Sequence, residues 1–322
     1  VIVPAYGVAH HVGEALTSLQ RQTFTAWECI IIDDGAPDDV AGAVASFLSD
    51  PRIRFLATAN QGVSAARNTA IRAARAPLIA LLDGDDLFRP EYLAAVVPIL
   101  ETDPEVRLVT CNARIFGAVS RPRTCVERPQ PTRGTLADVL DRSFNVYIGS
   151  TFRRADFDAV GGFDTRMAQS EDFDFWVRLM LLGGQTHYVD AVLGEYRVRP
   201  GSASANAGRM LLGNIRAYEK ARAALPTDAP ETALLDRLLA ESRAALAFEY
   251  AIDCIVDGDT ARGLAELRRT RDQVAGLTWR ASFTLWQIFP VLARPMLRWR
   301  RRAHSRGATG SAMFPSFLET EG

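Results

Sequence analysis

The sequence predicts an α/β fold, a mostly parallel sheet flanked by helices, with a C-terminal helical extension. Three observations lead there. Short apolar runs alternate with stretches of helical period over residues 1–204, as strands alternate with the helices that cover them. Three of the runs end in polar groups, at Tyr6, Asp34 and Asp83 to Asp86, and in parallel sheets ligands bind beyond the carboxyl ends of strands. After about Ala205 no strand pattern remains, and long Ala/Leu/Arg/Glu stretches take over.

Val1–Tyr6 reads as a first strand running into a loop, and His11–Arg21 as a helix with Val12, Ala15, Leu16 and Leu19 on one face. Trp27–Ile32 is a second strand, ending in Asp33-Asp34-Gly35, and Val40–Leu48 a second helix. Ile53–Leu56, the Ala-rich helix Val63–Ala74 and the strand Leu78–Leu82 follow. Glu91–Leu100 is a helix and Val106–Cys111 a strand, while Pro and Arg make Ala118–Gly134 a loop. Val146–Phe152 is a strand, Arg154 opens a short helix, and Glu171-Asp172 opens an apolar one. Thr186–Val189 and Val192–Arg197 are two closing strands, and Arg199–Ser204 is a loop. The organisation expected is a first domain over 1–204, a helical extension over 205–306 and a loose tail over 307–322.

The 322 residues are 48% hydrophobic with a net charge of -1, which supports a sizeable core and gives no sign of nucleic-acid binding. Lys220 is the sole lysine. Cys29, Cys111, Cys125 and Cys254 lie far apart with no CxxC pair, so they read as core cysteines of a reducing compartment. The chain starts at Val1 on a strand, so the expectation is no signal peptide, a few residues trimmed ahead of it, and a cytoplasmic location.

The segment Leu78–Pro90 is the chemical centre of the chain. A buried strand breaks into Asp83, Asp85 and Asp86 around the turn residue Gly84. Carboxylates so close repel, and a hard divalent cation among them relieves the repulsion. The plainer reading is an acidic turn capping the helix near Pro90. Glu171 and Asp172 likewise suit a helix N-terminus through the macrodipole, whatever else they do.

Eight pieces in order shift both readings: Val3-Pro4-Ala5-Tyr6, Gln22-Thr23, Asp33-Asp34-Gly35, Asn60 through Asn68, Asp83 through Asp86, Gly161-Gly162-Phe163-Asp164, Glu171-Asp172 and Tyr196-Arg197. Together they resemble a family 2 glycosyltransferase of GT-A fold. The resemblance covers about two thirds of the chain, Val1 to Ser204, and leaves the helical extension outside. It implies an inverting enzyme that uses a nucleotide-sugar donor and Mg²⁺ or Mn²⁺. Its metal motif maps onto Asp83-Gly84-Asp85 with Asp86 adjoining, and its catalytic base onto Asp172, with Glu171 orienting the site. Its nucleotide-binding residues map onto Pro4, Tyr6, Asp34, Arg67, Asn68 and Asp83. Asp34 would accept the N3–H of uracil, Tyr6 would stack on the base, and Asp33 would be structural.

Three positions depart from the family pattern. Gly7 stands for the usual Asn, Ala36 for Ser, and Arg199 for the His of the closing loop, where it offers phosphate an arginine instead. The acceptor implied is a glycan, free or lipid-linked, of the kind built into cell-envelope polysaccharide. Two alternatives remain: a polyprenyl-phosphate acceptor, which needs no general base, and a nucleotide-binding module without catalysis. A nucleotidyltransferase is disfavoured because Val3–Val12 carries no Gly-rich basic loop. In the extension, Phe283–Trp299 is apolar and aromatic and runs into Arg300-Arg301-Arg302, His304 and Arg306. Pro290, Arg294 and Pro295 interrupt it, so it is too broken to span a bilayer. Residues 283–306 either pack on the protein or lie peripherally on the inner face of the membrane.

Overall fold

A computed structural model of the chain describes residues 1–119, 121, 123–199, 207–274 and 277–299. The loop over 200–204, the start of the extension at 205–206, the arginines at 300–302 and 306, and the tail over 307–322 lie outside the described residues.

Strands β1 (Ile2–Ala5), β2 (Cys29–Asp33) and β3 (Ile53–Ala57) pair in parallel in the order β1-β2-β3. β2 is apolar at four successive positions because helices cover both its faces. Its period of two sorts the side chains. Ile30 and Ile32 join one core with Ala66, Ala70 and Ile71 of α3 (Val63–Ala73), while Cys29 and Ile31 join another with Val12, Leu16 and Leu19 of α1 (Ala9–Gln20) and with Val40 and Val44 of α2 (Val40–Val44). α2 is shorter than the helix expected over 40–48, because the chain tightens into a 3-10 turn at Ala45–Ser49.

A bridge between Ile2 and Leu81 lays the residues just after β4 (Leu78–Ala80) parallel to β1. This carries the sheet onward through β4, β9 (Thr151–Arg153), β6 (Val106–Gly117), β10 (Gln185–Val198) and β5 (Leu87–Phe88). Here the pairing is mixed. β9 runs antiparallel to both β4 and β6, β6 and β10 are parallel, and β5 is antiparallel to β10. The two closing strands expected from the sequence are one strand: the register slips between Val189 and Val192, and this bulge absorbs the exposed Asp190 and Ala191 without ending the ladder. The expected loop over 118–134 also holds two short strands, β7 (Arg123–Thr124) and β8 (Arg133–Gly134). α4 (Tyr92–Thr102) follows β5, with Tyr92, Leu93, Val96 and Val97 in the second core.

After β8 come α5 (Leu136–Leu140), α6 (Arg154–Val160) and α7 (Glu171–Met180). α7 buries Phe173, Phe175, Trp176 and Val177 in the first core. The extension forms α8 (Ala207–Ala224), α9 (Glu231–Asp257), α10 (Thr260–Val274) and α11 (Leu277–Ile288). Its first part docks on α7: Ile215, Tyr218 and Leu235 enter the same core, Tyr218 meets Phe173 edge-on at 5.5 Å, and Lys220 Nζ lies 2.8 Å from Asp164 and 2.5 Å from the buried Asp174. The rest has a core of its own, with Phe248, Ile252, Ile255, Leu267, Phe283 and Trp286. Among the described residues no helix is long and apolar enough to cross a membrane.

Candidate active site

The ends of β1, β2 and β10, the turn after β4 and the N-terminus of α7 surround one crevice. The turn is set by Gly84. A Cβ there would stand 2.9 Å from Val8 Cγ2 and 3.0 Å from the Pro4 carbonyl, so only glycine lets the acidic turn lie against the end of β1.

Arg67, on α3 and 2% exposed, joins the acidic pieces. Its Nη2 donates to Asp83 Oδ1 at 2.8 Å and its Nη1 to Glu171 Oε1 at 2.9 Å, while its guanidinium stands 5.4 Å from the Phe163 ring centre. One planar cation therefore holds the strand-end motif to the first turn of α7. Glu171, Asp172 and Asp174 all fall in that first turn, where helix N-terminal amides favour negative charge. The turn is entered through Ser170 at φ +56°, a left-handed conformation for a buried non-glycine residue. Glu171 is committed to Arg67. Among the described residues, Asp172 accepts a hydrogen bond only from the amide of Phe173, at 2.7 Å.

The other two carboxylates of the strand-end motif have different surroundings. Asp85 Oδ2 lies 2.5 Å from Arg199 Nε, and Arg199 Nη1 also donates to the Gly7 carbonyl at 2.9 Å. Asp86 is turned inward: it accepts the Arg197 amide at 2.8 Å and the Tyr147 hydroxyl at 3.3 Å. Arg197 spans the turn as well, donating to the Asp85 carbonyl at 2.8 Å and to Glu14 at 3.0 Å.

Burial, and then the charge of Asp83, push the Asp85 carboxyl above its ordinary value against the pull of Arg199. Burial followed by Asp83 and Asp85 pushes Asp86 well above its own. Burial and then Asp172 raise Glu171, against Arg67. Burial works to lower Arg67, yet Asp83 and Glu171 outweigh it and hold the guanidinium more firmly protonated than usual. These shifts make the site costly when fully ionised. A raised carboxyl binds its proton more tightly folded than unfolded, so its stabilising share is present below the unfolded value and is lost as pH rises through the folded one. Asp86→Asn is accordingly expected to cost stability below about pH 4, the ordinary carboxylate range, and to be neutral or stabilising at neutral pH. Thermal melts of both proteins across that range check this, and a constant difference would contradict it.

Asp83 and Asp85 fit a divalent cation. They are hard oxygen donors on one turn, partly open to the crevice, and the mutual repulsion that raises Asp85 is what such an ion relieves. Asp86 does not fit as a direct ligand, since both its oxygens point into the protein. Among the described residues no group of three or more His, Cys, Asp or Glu is arranged around a metal position.

The remaining sequence-derived residues divide. Tyr6 is half exposed at the mouth of β1, and Pro4 lends its carbonyl to the close approach of Gly84. Asp34 is buried. Its oxygens accept the amides of Gln61 at 3.0 Å and Gly62 at 2.8 Å, so it shapes the loop before α3. Asp33 accepts the Ala36 amide at 2.8 Å. Asn68 is not brought to the crevice: its side chain closes both hydrogen bonds of the Phe163 backbone, each 2.8 Å. Sequence reasoning missed the direct pairing of Arg67 with both acidic motifs and the clamp made by Arg197 and Tyr147 on Asp86. The Tyr-Arg pair at 196–197 was a signal for the second, but its partners were not.

Comparison with known proteins bears on the family and the fold. The family model described as "Glycosyl transferase family 2" matches residues 1–161. The chain is 36% identical over 89 residues to the Escherichia coli UDP-Glc:alpha-D-GlcNAc-diphosphoundecaprenol beta-1,3-glucosyltransferase WfgD, a stretch covering 27% of this chain and 35% of the relative. The chain spans only 23 to 27% of the length of the first curated relatives it matches. Among solved structures, S. aureus TarS 1-349 in complex with UDP-GlcNAc superposes with a TM-score of 0.63 at 17% identity, over 85% of this chain and 80% of TarS. The mannosyltransferase PcManGT from Pyrobaculum calidifontis, in complex with GDP-Man and Mn2+, gives 0.60 at 18% identity, over 95% and 84%.

Proposed function

The chain belongs to glycosyl transferase family 2, and from that premise we propose that it transfers a sugar, with inversion, from a UDP-linked donor to a hydroxyl of a glycan carried on a lipid in envelope polysaccharide synthesis. The observation that carries this reading is the bridge through Arg67. It brings Asp83 together with Glu171, which is 104 residues from Arg67 in sequence, on one crevice at the ends of the strands. The E. coli relative, named for a UDP-Glc donor and a diphosphoundecaprenol-linked acceptor, supports the donor and the acceptor class.

In this reading Asp83 and Asp85 hold Mg²⁺ or Mn²⁺, which when bound stabilises the charge that builds on the departing nucleotide diphosphate. Asp86 acts behind them by fixing the turn to β10. Arg199 lies close enough to Asp85 to exchange that carboxylate for a donor phosphate. Tyr6 offers a face to the base, and the Asp34 oxygens keep lone pairs beyond the Gln61 and Gly62 amides to accept the uracil N3–H. Asn68 positions the Gly161–Asp164 turn that supports α7. Asp172 takes the proton of the acceptor hydroxyl as that oxygen attacks the anomeric carbon opposite the leaving nucleotide. Glu171, fixed by Arg67, orients the turn on which Asp172 sits. The catalytic unit is residues 1–204, and the extension over 205–306 braces α7 through α8.

Titration calorimetry with UDP and GDP, with and without Mn²⁺, tests the donor and metal assignments together. UDP binding should require Mn²⁺ and fall at least about tenfold in Asp85→Asn, the loss of one charge-assisted contact. Metal-independent binding equal in both proteins would remove Asp85 from the site, and a preference for GDP would reassign the base.

A further inference from the structure

The end of the extension exposes a large apolar surface that the catalytic reading does not use. α11 and the helical residues 293–299 form two legs joined by a tight turn at Phe289 and the 3-10 segment Pro290–Leu292. The legs are firmly seated. Phe283 and Trp286 of the first and Ala293 and Leu297 of the second are buried in the extension's own core, and Trp286 Nε1 donates to Met296 Sδ at 3.3 Å. Arg294 and Arg298 both donate to the Val256 carbonyl, at 3.2 and 3.0 Å, near the C-terminus of α9.

With those two faces of the second leg occupied, the third carries Met296 and Trp299, three residues apart on one helix face, with Leu292 of the 3-10 segment just before them. They continue the apolar tip. Ile288 is 65% exposed, Val291 77% and Trp299 73%, with Phe289 also more than half exposed. Single exposed apolar residues are ordinary, but a contiguous group of this size marks a contact surface.

The charge that adjoins it in sequence selects the partner. From 273 to 318 the sequence has seven arginines, at 280, 294, 298, 300, 301, 302 and 306, and no Asp or Glu, in a chain whose net charge is -1. Three of them directly follow Trp299. An apolar tip with an interfacial tryptophan, followed in sequence by arginines with no Asp or Glu among them, is complementary to an anionic bilayer surface, where acyl chains take the tip and headgroups take the arginines.

We propose that Ile288–Trp299 is a monotopic membrane-docking tip that seats the enzyme on an anionic lipid surface. This deepens the lipid-linked reading of the acceptor and rests on it for its purpose, since docking holds the crevice near an acceptor confined to the bilayer.

Vesicle flotation of the full 322-residue chain, without donor or acceptor, tests docking separately from transfer. Partition onto phosphatidylglycerol-containing vesicles should exceed that onto pure phosphatidylcholine by on the order of tenfold and weaken with salt. Ile288→Ser with Val291→Ser should abolish partition while leaving UDP binding and the far-UV helical signal unchanged, the second of which reports an intact extension. Arg300→Glu with Arg301→Glu should remove the preference for anionic lipid, and tryptophan emission should shift to the blue on anionic vesicles in the wild type but not in the tip variant. Lack of partition onto anionic vesicles overturns the proposal, as does equal partition by the tip variant. A concentration-dependent dimer in light scattering that the tip variant dissolves would assign the surface to a second copy instead.

Discussion

Asp172→Asn should lower the turnover number for sugar transfer by about 10²–10⁴-fold, the usual contribution of a positioned general base, while UDP binds as tightly as in the wild type. Asparagine keeps the size of the side chain and its acceptor for the Phe173 amide, so α7 begins as before. What is lost is the ability to take a proton. Asp172 stands in the same helical turn as Glu171, whose carboxylate is occupied by Arg67, and this separates their expected effects. Glu171→Gln should disturb position more than proton transfer, because the amide still accepts one hydrogen bond from Arg67 but loses the charge. Steady-state kinetics paired with UDP calorimetry on the two variants distinguishes them. If Asp172→Asn retained full activity, the acceptor would be a group already ionised, such as a polyprenyl phosphate. Donor binding by the wild type with no turnover on any acceptor would instead mark a binding module.

Arg67→Met should destabilise the protein by about 3–5 kcal/mol, the cost of removing one partner from a buried ionic network. Methionine preserves much of the stem, so the loss is largely electrostatic. Asp83 and Glu171 are themselves mostly buried, and without the guanidinium the two, with Asp172 beside them, confront one another across the crevice. Arg67→Lys should recover part of the loss, since a point charge cannot bond both carboxylates in the fixed geometry of the fork. Chemical denaturation measures both variants. Near-wild-type stability for Arg67→Met would show that the acidic groups relax into solvent and that the bridge does not organise the site.

Much of the site is legible in the amino-acid sequence. The strand end at Asp83 is readable because an apolar run that stops at a carboxylate has a local cause. The interior tolerates the run and excludes the charge. Gly84 is readable as a turn, and the N-terminal position of Glu171 and Asp172 follows from helix electrostatics. The breadth of the mixed sheet is less so. Val189 and Val192 look like the ends of two strands because the residues between them are polar and small, and only pairing with β6 makes them one.

By itself the sequence determined the alternation of strands and helices through β4, the acidic turn after it, the acids that open α7 and the family to which they belong. Each is written in local period, turn chemistry or short-range spacing. Tertiary structure alone decided which way those groups face. It turned Asp86 inward to Arg197 and Tyr147, spent Asn68 on the Phe163 backbone, set Arg199 on Asp85, and divided the last apolar segment into a buried half and a bare tip. The physical reason is range. A carboxylate's partner is chosen by whatever the fold brings within about 3 Å, the reach of a hydrogen bond, and for Arg67 and Glu171 that neighbour lies 104 residues away.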